Sequence, residues 1–140
     1  MAQDLMRFSV AMPESLLVEF DHLVARRGLA KNRSEVIRDL VRDALVEAEC
    51  ATPGRLVMGT LTIVYNHHAN DLQEKLHHIQ HQYLDLVITS VHVHVDEDNC
   101  MVVIILKGET GIVQDVANMI LGTKGVKTGK LVMTTTGAYI

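Results

Sequence analysis

The sequence predicts an α+β protein in two parts, a strand-helix-helix segment followed by a ferredoxin-like domain of order β-α-β-β-α-β. The prediction depends on a change of pattern. Apolar residues first alternate and then follow helical spacing between positions 5 and 49, whereas runs of β-branched residues flank two helical runs between 56 and 135. The chain has 140 residues, 48% of them hydrophobic and 21% charged, which suits one domain or two small ones.

The first element is predicted as a strand at residues 5–12, where apolar side chains alternate with Arg7, Ser9 and Ala11. Pro13 ends this strand because proline has no N–H to donate to a neighbour. A single strand leaves both of its edges unpaired, and a segment of about 45 residues is marginal for independent folding. We therefore expect an obligate dimer in which this strand pairs with the same strand of a second copy.

Two helices should follow this strand. The first stops near Gly28, and its apolar face consists of Leu16, Leu17, Phe20, Leu23 and Val24. The second begins at Asn32, whose side chain can cap free N–H groups while Glu35 reaches back toward it, as in a capping box.

The domain boundaries follow from a short linker at residues 50–55, which contains a Pro-Gly pair. It separates a first domain at 1–49 from a second at 56–140. In the second domain, strands are predicted at 56–65, 86–95, 101–106 and 126–135, helices at 71–84 and 112–121, and a turn at 96–99.

Composition narrows the classes of function. With 13 basic and 17 acidic residues the net charge is −4, so any DNA contact needs a local basic patch. No apolar run is long enough to span a membrane, and the N-terminus lacks the layout of a secretory signal. We expect a soluble, cytoplasmic protein that does not engage membranes, with Cys50 and Cys100 as reduced thiols.

Histidines are the most informative residue type, since seven of the eight lie between positions 67 and 94. His92 and His94 project from one face of a predicted strand, and a hairpin at 96–99 brings the Cys100 sulfur near His94. Two imidazoles and one thiolate are three ligands of a transition-metal site. These residue types alone suit tetrahedral zinc and square-planar copper(II) or nickel(II) equally.

Other side chains of this domain should complete the site and its support. The fourth ligand is expected among the remaining histidines, and their spacing does not choose between them: His67, His68, His77, His78 and His81. The opposite face of the histidine strand carries Val91, Val93 and Val95, which are expected in the core.

A DNA-reading surface is predicted at the paired N-terminal strands, where Arg7, Ser9 and Ala11 would face outward together. A two-stranded ribbon fits the major groove, and arginine can bond both acceptors of a guanine edge. The helix that begins with Asn32, Arg33 and Ser34 would offer backbone N–H groups to a phosphate. The simpler alternative is the solvated face of an ordinary edge strand.

Three segments together resemble one known family: MRFSVAMPESLL, NRSEVIRDLVRDAL and HQYLDLVITSVHVHVDEDNC. They resemble the nickel-responsive transcriptional regulators (NikR) over nearly the whole chain. The resemblance implies an intertwined ribbon-helix-helix dimer, an ACT-type second domain and a homotetramer built as a dimer of dimers. It further implies a protein that binds a palindromic operator when loaded with nickel and represses nickel uptake.

The resemblance also implies the metal ligands. One Ni²⁺ per subunit would occupy a square-planar site made by His92, His94 and Cys100 of one chain and His81 of a neighbour. A second cation, K⁺, would lie between the domains on Glu35 and Asp39, with backbone carbonyls near Leu121, Thr123 and Val126.

Two departures from the family pattern concern DNA. Ala11 offers only a methyl group where family members commonly carry a polar side chain, and the stretch 67–70 lacks the basic residues that some members use.

Competing hypotheses remain at this point. The chain could be a metal carrier whose N-terminal segment serves only for dimerisation, or an ACT-type small-molecule sensor with incidental histidines. Replacing Arg7 separates a regulator from a carrier, and a response of metal-free protein to amino acids would support the sensor. An enzyme is not expected, because no nucleophile-base-acid set is present and a fully protein-ligated metal leaves no position for substrate.

Overall fold

The computed structural model describes residues 3–29, 31–69, 71–138 and 140. The elements are α1 (Glu14–Arg26), α2 (Arg33–Ala51), β1 (Leu56–Asn66), α3 (Leu72–Gln82), β2 (Val87–His94), β3 (Asn99–Glu109), α4 (Thr110–Leu121) and β4 (Val126–Thr135). The chain divides into two compact units, Met1–Asp43 and Ala44–Ile140. No helix within the described ranges is both long and apolar enough to cross a bilayer.

In the first unit, the N-terminus of α2 is capped as the sequence predicts. The side-chain oxygen of Asn32 accepts a hydrogen bond from the Glu35 N–H at 2.9 Å, which satisfies one of the free donors of the first turn. The Arg33 guanidinium holds the Asp21 carboxylate with two hydrogen bonds of 2.7 and 2.8 Å, which connects the start of α2 to α1. Val36 is fully buried.

The N-terminal segment differs from its prediction, because the described residues 3–13 form no strand. A strand exists through hydrogen bonds to a neighbouring strand, and a single chain supplies no neighbour here. The apolar side chains of this segment are accordingly exposed, with Met6 at 89% and Phe8 at 74%. Helix α1 likewise has no buried residue, so the unit presents apolar surface that a second copy could cover.

The second unit is a four-stranded antiparallel sheet of order β2-β3-β1-β4, with the two helices α3 and α4. This strand order confirms the ferredoxin-like prediction. Alternate residues of β1 and β3 are buried, as expected for a sheet with one covered face. They pack in one core with residues of α3 and α4: Leu72, Leu76, Val113, Val116, Ala117 and Ile120.

The predicted burial of three valines in and directly after β2 is wrong. Val91, Val93 and Val95 are 52%, 40% and 58% exposed. They do lie on the face opposite the histidines, but the described part of the chain provides no layer to cover that face, since the core lies on the helix side.

Helix α2 extends further than the linker prediction allows. It runs through Ala51, and Cys50 is buried in the core of the second unit. The first two residues of the expected linker are therefore helical. The division into domains at 1–49 and 56–140 stays a prediction.

Candidate metal centre and nucleic-acid interface

The centre is built on the hairpin that joins β2 to β3. The Asp96 carboxylate accepts hydrogen bonds from the backbone N–H of Asp98 and Asn99, at 2.9 and 2.7 Å, and from the Asn99 amide. The Asn99 side chain and these two N–H groups lower the pKa of Asp96. The turn is thus fixed by its own side chains, and it sets Cys100 directly opposite His94 in the strand register.

Cys100 is the centre of a compact group of donors. Its buried Sγ lies 3.4 Å from Nδ1 of His94, as the hairpin predicts, and 3.3 Å from Nδ1 of His67. The ligand atoms of these three residues all lie within 4.8 Å of one another. Both imidazoles are exposed at the surface, so the group is open to an ion from solvent.

His67 is held in place by the backbone around it. Its N–H donates to the Asp98 carbonyl of the hairpin at 2.6 Å, and the N–H of His68 donates to Oδ1 of Asn66 at 2.7 Å. The sequence left His67 as one of five alternatives. The signal that could have selected it is the pairing of Tyr65 with Cys100 and of Asn66 with Asn99. That register brings the end of β1, and His67 directly after it, to the start of β3.

His92 lies next to this group without joining it. Its ring centroid is 5.1 Å from that of His94, and its Nε2 is 3.4 Å from the Tyr65 hydroxyl, which also receives a hydrogen bond from Gln73 of α3. Together with Leu76 and other residues, these side chains line a cavity of about 210 Å³ between α3 and the sheet.

His81 lies apart from the other predicted ligands. It is an exposed residue of α3 and lines a surface depression together with His77 and His78. Among the described residues, the candidate metal cluster contains His94 and Cys100 but neither His81 nor His92. The assignment of His81, His92, His94 and Cys100 as nickel ligands stays a prediction.

The predicted DNA-contacting residues lie in the first unit. Arg7, Ser9 and Ala11 are exposed on the N-terminal segment, and Ser34 is exposed in the first turn of α2. The side chains of Asn32 and Arg33 are already engaged within the unit, with the Glu35 N–H and with Asp21 respectively. The ion pair raises the pKa of Arg33 and lowers that of Asp21.

The residues predicted for a second cation have partners of their own. Asp39 accepts hydrogen bonds from Lys31 at 2.9 Å and from Arg42 at 3.3 Å, and the Lys31 contact is the first cause of its lowered pKa. Glu35 is half-buried. The binding of K⁺ by Glu35 and Asp39 stays a prediction. Of the stretch 67–70, Asn70 lies outside the described residues.

Fold and site together define a class of protein: a segment with two helices, α1 and α2, joined to a ferredoxin-like domain with a candidate histidine-cysteine metal centre. Residues 6–48 match the ribbon-helix-helix proteins of the copG family, and residues 58–134 match the C-terminal nickel-binding domain of NikR.

Similar proteins extend this match over nearly the full chain. Proteins named nickel-responsive regulator are 48% identical to it in Thermococcus onnurineus (strain NA1), over 94% of both chains, and in Pyrococcus horikoshii, over 96% of both. One from Geobacter sp. (strain M21) is 47% identical over 94% of both. The chain belongs to the NikR family. This is a family of regulators rather than enzymes, as the sequence predicts.

Proposed function

We propose that this protein is a cytoplasmic, nickel-responsive DNA-binding regulator that represses nickel uptake. The observation that carries the proposal is the pair of donors on the β2–β3 hairpin, His94 and Cys100, within a domain of the nickel-binding family. A thiolate and imidazoles are donors that suit nickel(II) in square-planar geometry.

The proposed nickel set comprises His92, His94 and Cys100 of one subunit and His81 of the partner subunit, with one Ni²⁺ per subunit. The absence of His81 from the hairpin cluster of the described chain, together with its exposure, supports a role between chains. The exposed valines of β2 support association as well, because apolar sheet faces are rarely left open to water. The proposed assembly is a homotetramer, a dimer of dimers.

The response to nickel follows from this division of ligands. Donors on two chains hold α3 of one subunit against the hairpin of another, which favours the arrangement of subunits that binds DNA. The shift in that equilibrium is limited by the difference in nickel affinity between the two arrangements. Cys100 must bind as the thiolate, so loading releases a proton.

In DNA binding, the paired N-terminal strands present Arg7, Ser9 and Ala11 to the major groove of a palindromic operator. Backbone N–H groups at Asn32, Arg33 and Ser34 contact phosphate. The exposed, unpaired segment at residues 3–13 supports this role, since a second copy can complete it as a ribbon. The second cation, K⁺, on Glu35 and Asp39 belongs to the same proposal.

The test is a nickel(II) titration of the reduced full-length protein, followed by its thiolate-to-metal absorption band. We expect saturation at one nickel per chain, loss of the band in Cys100→Ala, and retention in Cys50→Ala, which removes the other free thiol. Nickel binding by Cys100→Ala equal to that of the parent would overturn the site.

The DNA part is tested separately, by nickel-dependent retention of duplexes selected from a random-sequence pool. Arg7→Ala should abolish retention without changing nickel binding, whereas Lys107→Ala, which removes an exposed cation of the other unit, should leave both unchanged. Retention unaffected by Arg7→Ala would favour the carrier hypothesis instead.

A further inference from the structure

The joint, residues 52–55, connects α2 to β1 and is fixed to the end of β3 by hydrogen bonds. The Thr110 N–H donates to the Arg55 carbonyl at 2.9 Å, and the Thr110 hydroxyl lies 3.1 Å from the same oxygen. One oxygen of the Glu109 carboxylate accepts from the Gly54 N–H at 2.7 Å. Thr110 is only 4% exposed, and a buried hydroxyl needs a partner. The joint supplies that partner.

The backbone of the joint is determined from the side of α2 as well. The Thr52 hydroxyl donates to the Ala48 carbonyl at 2.8 Å, and the Arg55 N–H donates to the Thr52 carbonyl at 3.4 Å. Gly54 has a φ of +79°, which glycine adopts without strain. A flexible linker has no such contacts. The end of α2 is therefore attached to the start of β1 in a definite geometry.

The two central strands of the sheet run from the joint to the candidate metal centre. β1 begins at Leu56, directly after the joint, and β3 ends at Glu109. The strands pair residue for residue from Leu56 with Glu109 to Asn66 with Asn99. At about 3.3 Å per residue, this ladder separates Cys100 from Glu109 by about 30 Å. One continuous piece of sheet thus carries the metal centre at one end and the joint at the other.

We infer that Glu109 and Thr110 are positioning residues for the nickel response, which fix the joint to the sheet and so set the direction in which α2 leaves the metal-binding domain. The role in the nickel response rests on the proposed function, whereas the fixed joint does not. Helix α2 runs from Arg33 to Ala51 and contributes residues to both units, which divide after Asp43. A rearrangement of the metal-binding domains therefore moves the end of α2 with it, whereas a flexible segment would absorb the movement.

The chain offers variants that separate this role from a merely structural one. Glu109 also caps α4, because its carboxylate accepts from the N–H groups of Gly111 and Ile112 at 3.0 and 3.2 Å. Aspartate is a good N-cap residue but is one methylene shorter, so Glu109→Asp keeps a cap on α4 and loses the reach to Gly54. Thr110→Val removes the hydroxyl at nearly constant shape, and Thr110→Ser keeps it.

The joint is tested by limited trypsin digestion of the metal-free, full-length protein, with cleavage after the exposed Arg55 followed by mass. We expect this cleavage to be at least fivefold faster in Glu109→Asp and Thr110→Val than in the parent, and close to the parent in Thr110→Ser. Cleavage after Lys130, in β4, reports opening of the sheet itself and should change much less. Cleavage after Arg55 at the parent's rate in both variants would overturn the inference.

The positioning role is tested by nickel titration and by retention of a selected duplex with and without nickel. Glu109→Asp and Thr110→Val should keep the nickel absorption band, because both residues lie at the other end of β3 from Cys100. Their gain in DNA affinity on nickel loading should fall at least fivefold, whereas Thr110→Ser should respond as the parent does. Faster cleavage after Arg55 with an unchanged gain would overturn the positioning role, since the contacts would then contribute stability alone.

Failure of the proposed function gives a different result. A parent whose retention of DNA does not change with nickel would overturn the proposed function, and the role of Glu109 and Thr110 in the nickel response with it. Faster cleavage after Arg55 in the two variants would still support the fixed joint, because that measurement needs neither nickel nor DNA.

Discussion

Replacing Gly129 with alanine tests how tightly β4 is packed into the metal-binding domain. Gly129 lies opposite Ile63 in the register of β1 and β4. A Cβ at this position would lie 2.5 Å from Cδ2 of Leu121, 2.7 Å from the Thr62 carbonyl oxygen and 2.9 Å from Cγ2 of Ile63. The Leu121 side chain can turn away, but the carbonyl belongs to the backbone of the neighbouring strand and cannot move without disturbing the sheet.

The expected cost follows from this overlap. Overpacking a well-filled core lowers the free energy of unfolding by about 1 to 3 kcal/mol, and a backbone contact favours the upper part of that range. With a urea dependence of about 2 kcal/mol per molar, the midpoint of unfolding should fall by about 1 M. The measurement is urea unfolding of metal-free protein at a fixed chain concentration, because association of copies adds to apparent stability.

Gly111→Ala is the matched control. Around Gly111 the nearest atoms are carboxylate oxygens of Glu109, at 3.2 and 3.5 Å, so a Cβ there requires a shift of only a few tenths of an ångström in a half-buried side chain and none in the backbone. Gly111 lies in α4, where alanine is the better helix former. Its midpoint should therefore stay much closer to that of the parent than the Gly129→Ala midpoint does. A Gly129→Ala midpoint equal to the parent's, with an unchanged urea dependence, would refute the packing argument.

Two further predictions concern caps. Asn32→Ala removes the acceptor of the Glu35 N–H and should lower the free energy of unfolding by about 1 kcal/mol. Asn32→Asp should largely restore it, because aspartate is also a good N-cap residue. Equal urea midpoints for the alanine and aspartate variants would contradict this prediction. The backbone N–H groups of Gly111, Gly54 and Ile112 lower the pKa of Glu109. The ionised carboxylate therefore stabilises the folded protein above the ordinary carboxyl pKa of 4.5. This stabilisation is lost as the pH falls through the lower pKa of the folded state. Glu109→Gln should remove that acid-side loss from a plot of unfolding free energy against pH, and identical profiles for variant and parent would count against the cap.

The elements of the second unit were predictable where a local pattern determines them. β4 begins at Val126 and ends at Thr135, the range that the sequence predicts. The boundaries of β3 were not predictable in this way: the predicted strand covers 101–106, whereas β3 begins at Asn99 and continues to Glu109. That extension is stabilised by pairing with β1 over its whole length, and Glu109 ends the strand while capping α4. Contacts distant in sequence decided both ends.

The difference between local patterns and contacts distant in sequence also explains which residues of the candidate site could be predicted. His94 and Cys100 were predictable as neighbours because a short hairpin fixes their register by spacing alone. His67 was not singled out, because its position depends on the pairing of β1 with β3. This pairing brings His67 into contact with Cys100, which lies 33 residues later in the sequence. The exposure of Val93 and the missing N-terminal strand have another cause: each prediction requires a packing or pairing partner that the described part of the single chain does not supply.

In the proposed function, the division of ligands between chains links the choice of metal to the assembly of subunits. Affinity alone separates neighbouring divalent ions poorly, so selection has to come from geometry. Among the described residues, the cluster that one chain assembles is His67, His94 and Cys100, and it contains only two of the four proposed nickel ligands. An ion that requires a planar set of four protein donors must recruit His81 from a second subunit, and it thereby spends part of its binding free energy on holding two subunits together. Such an ion has a differential affinity for the assembled state, which thermodynamic linkage requires of an effector.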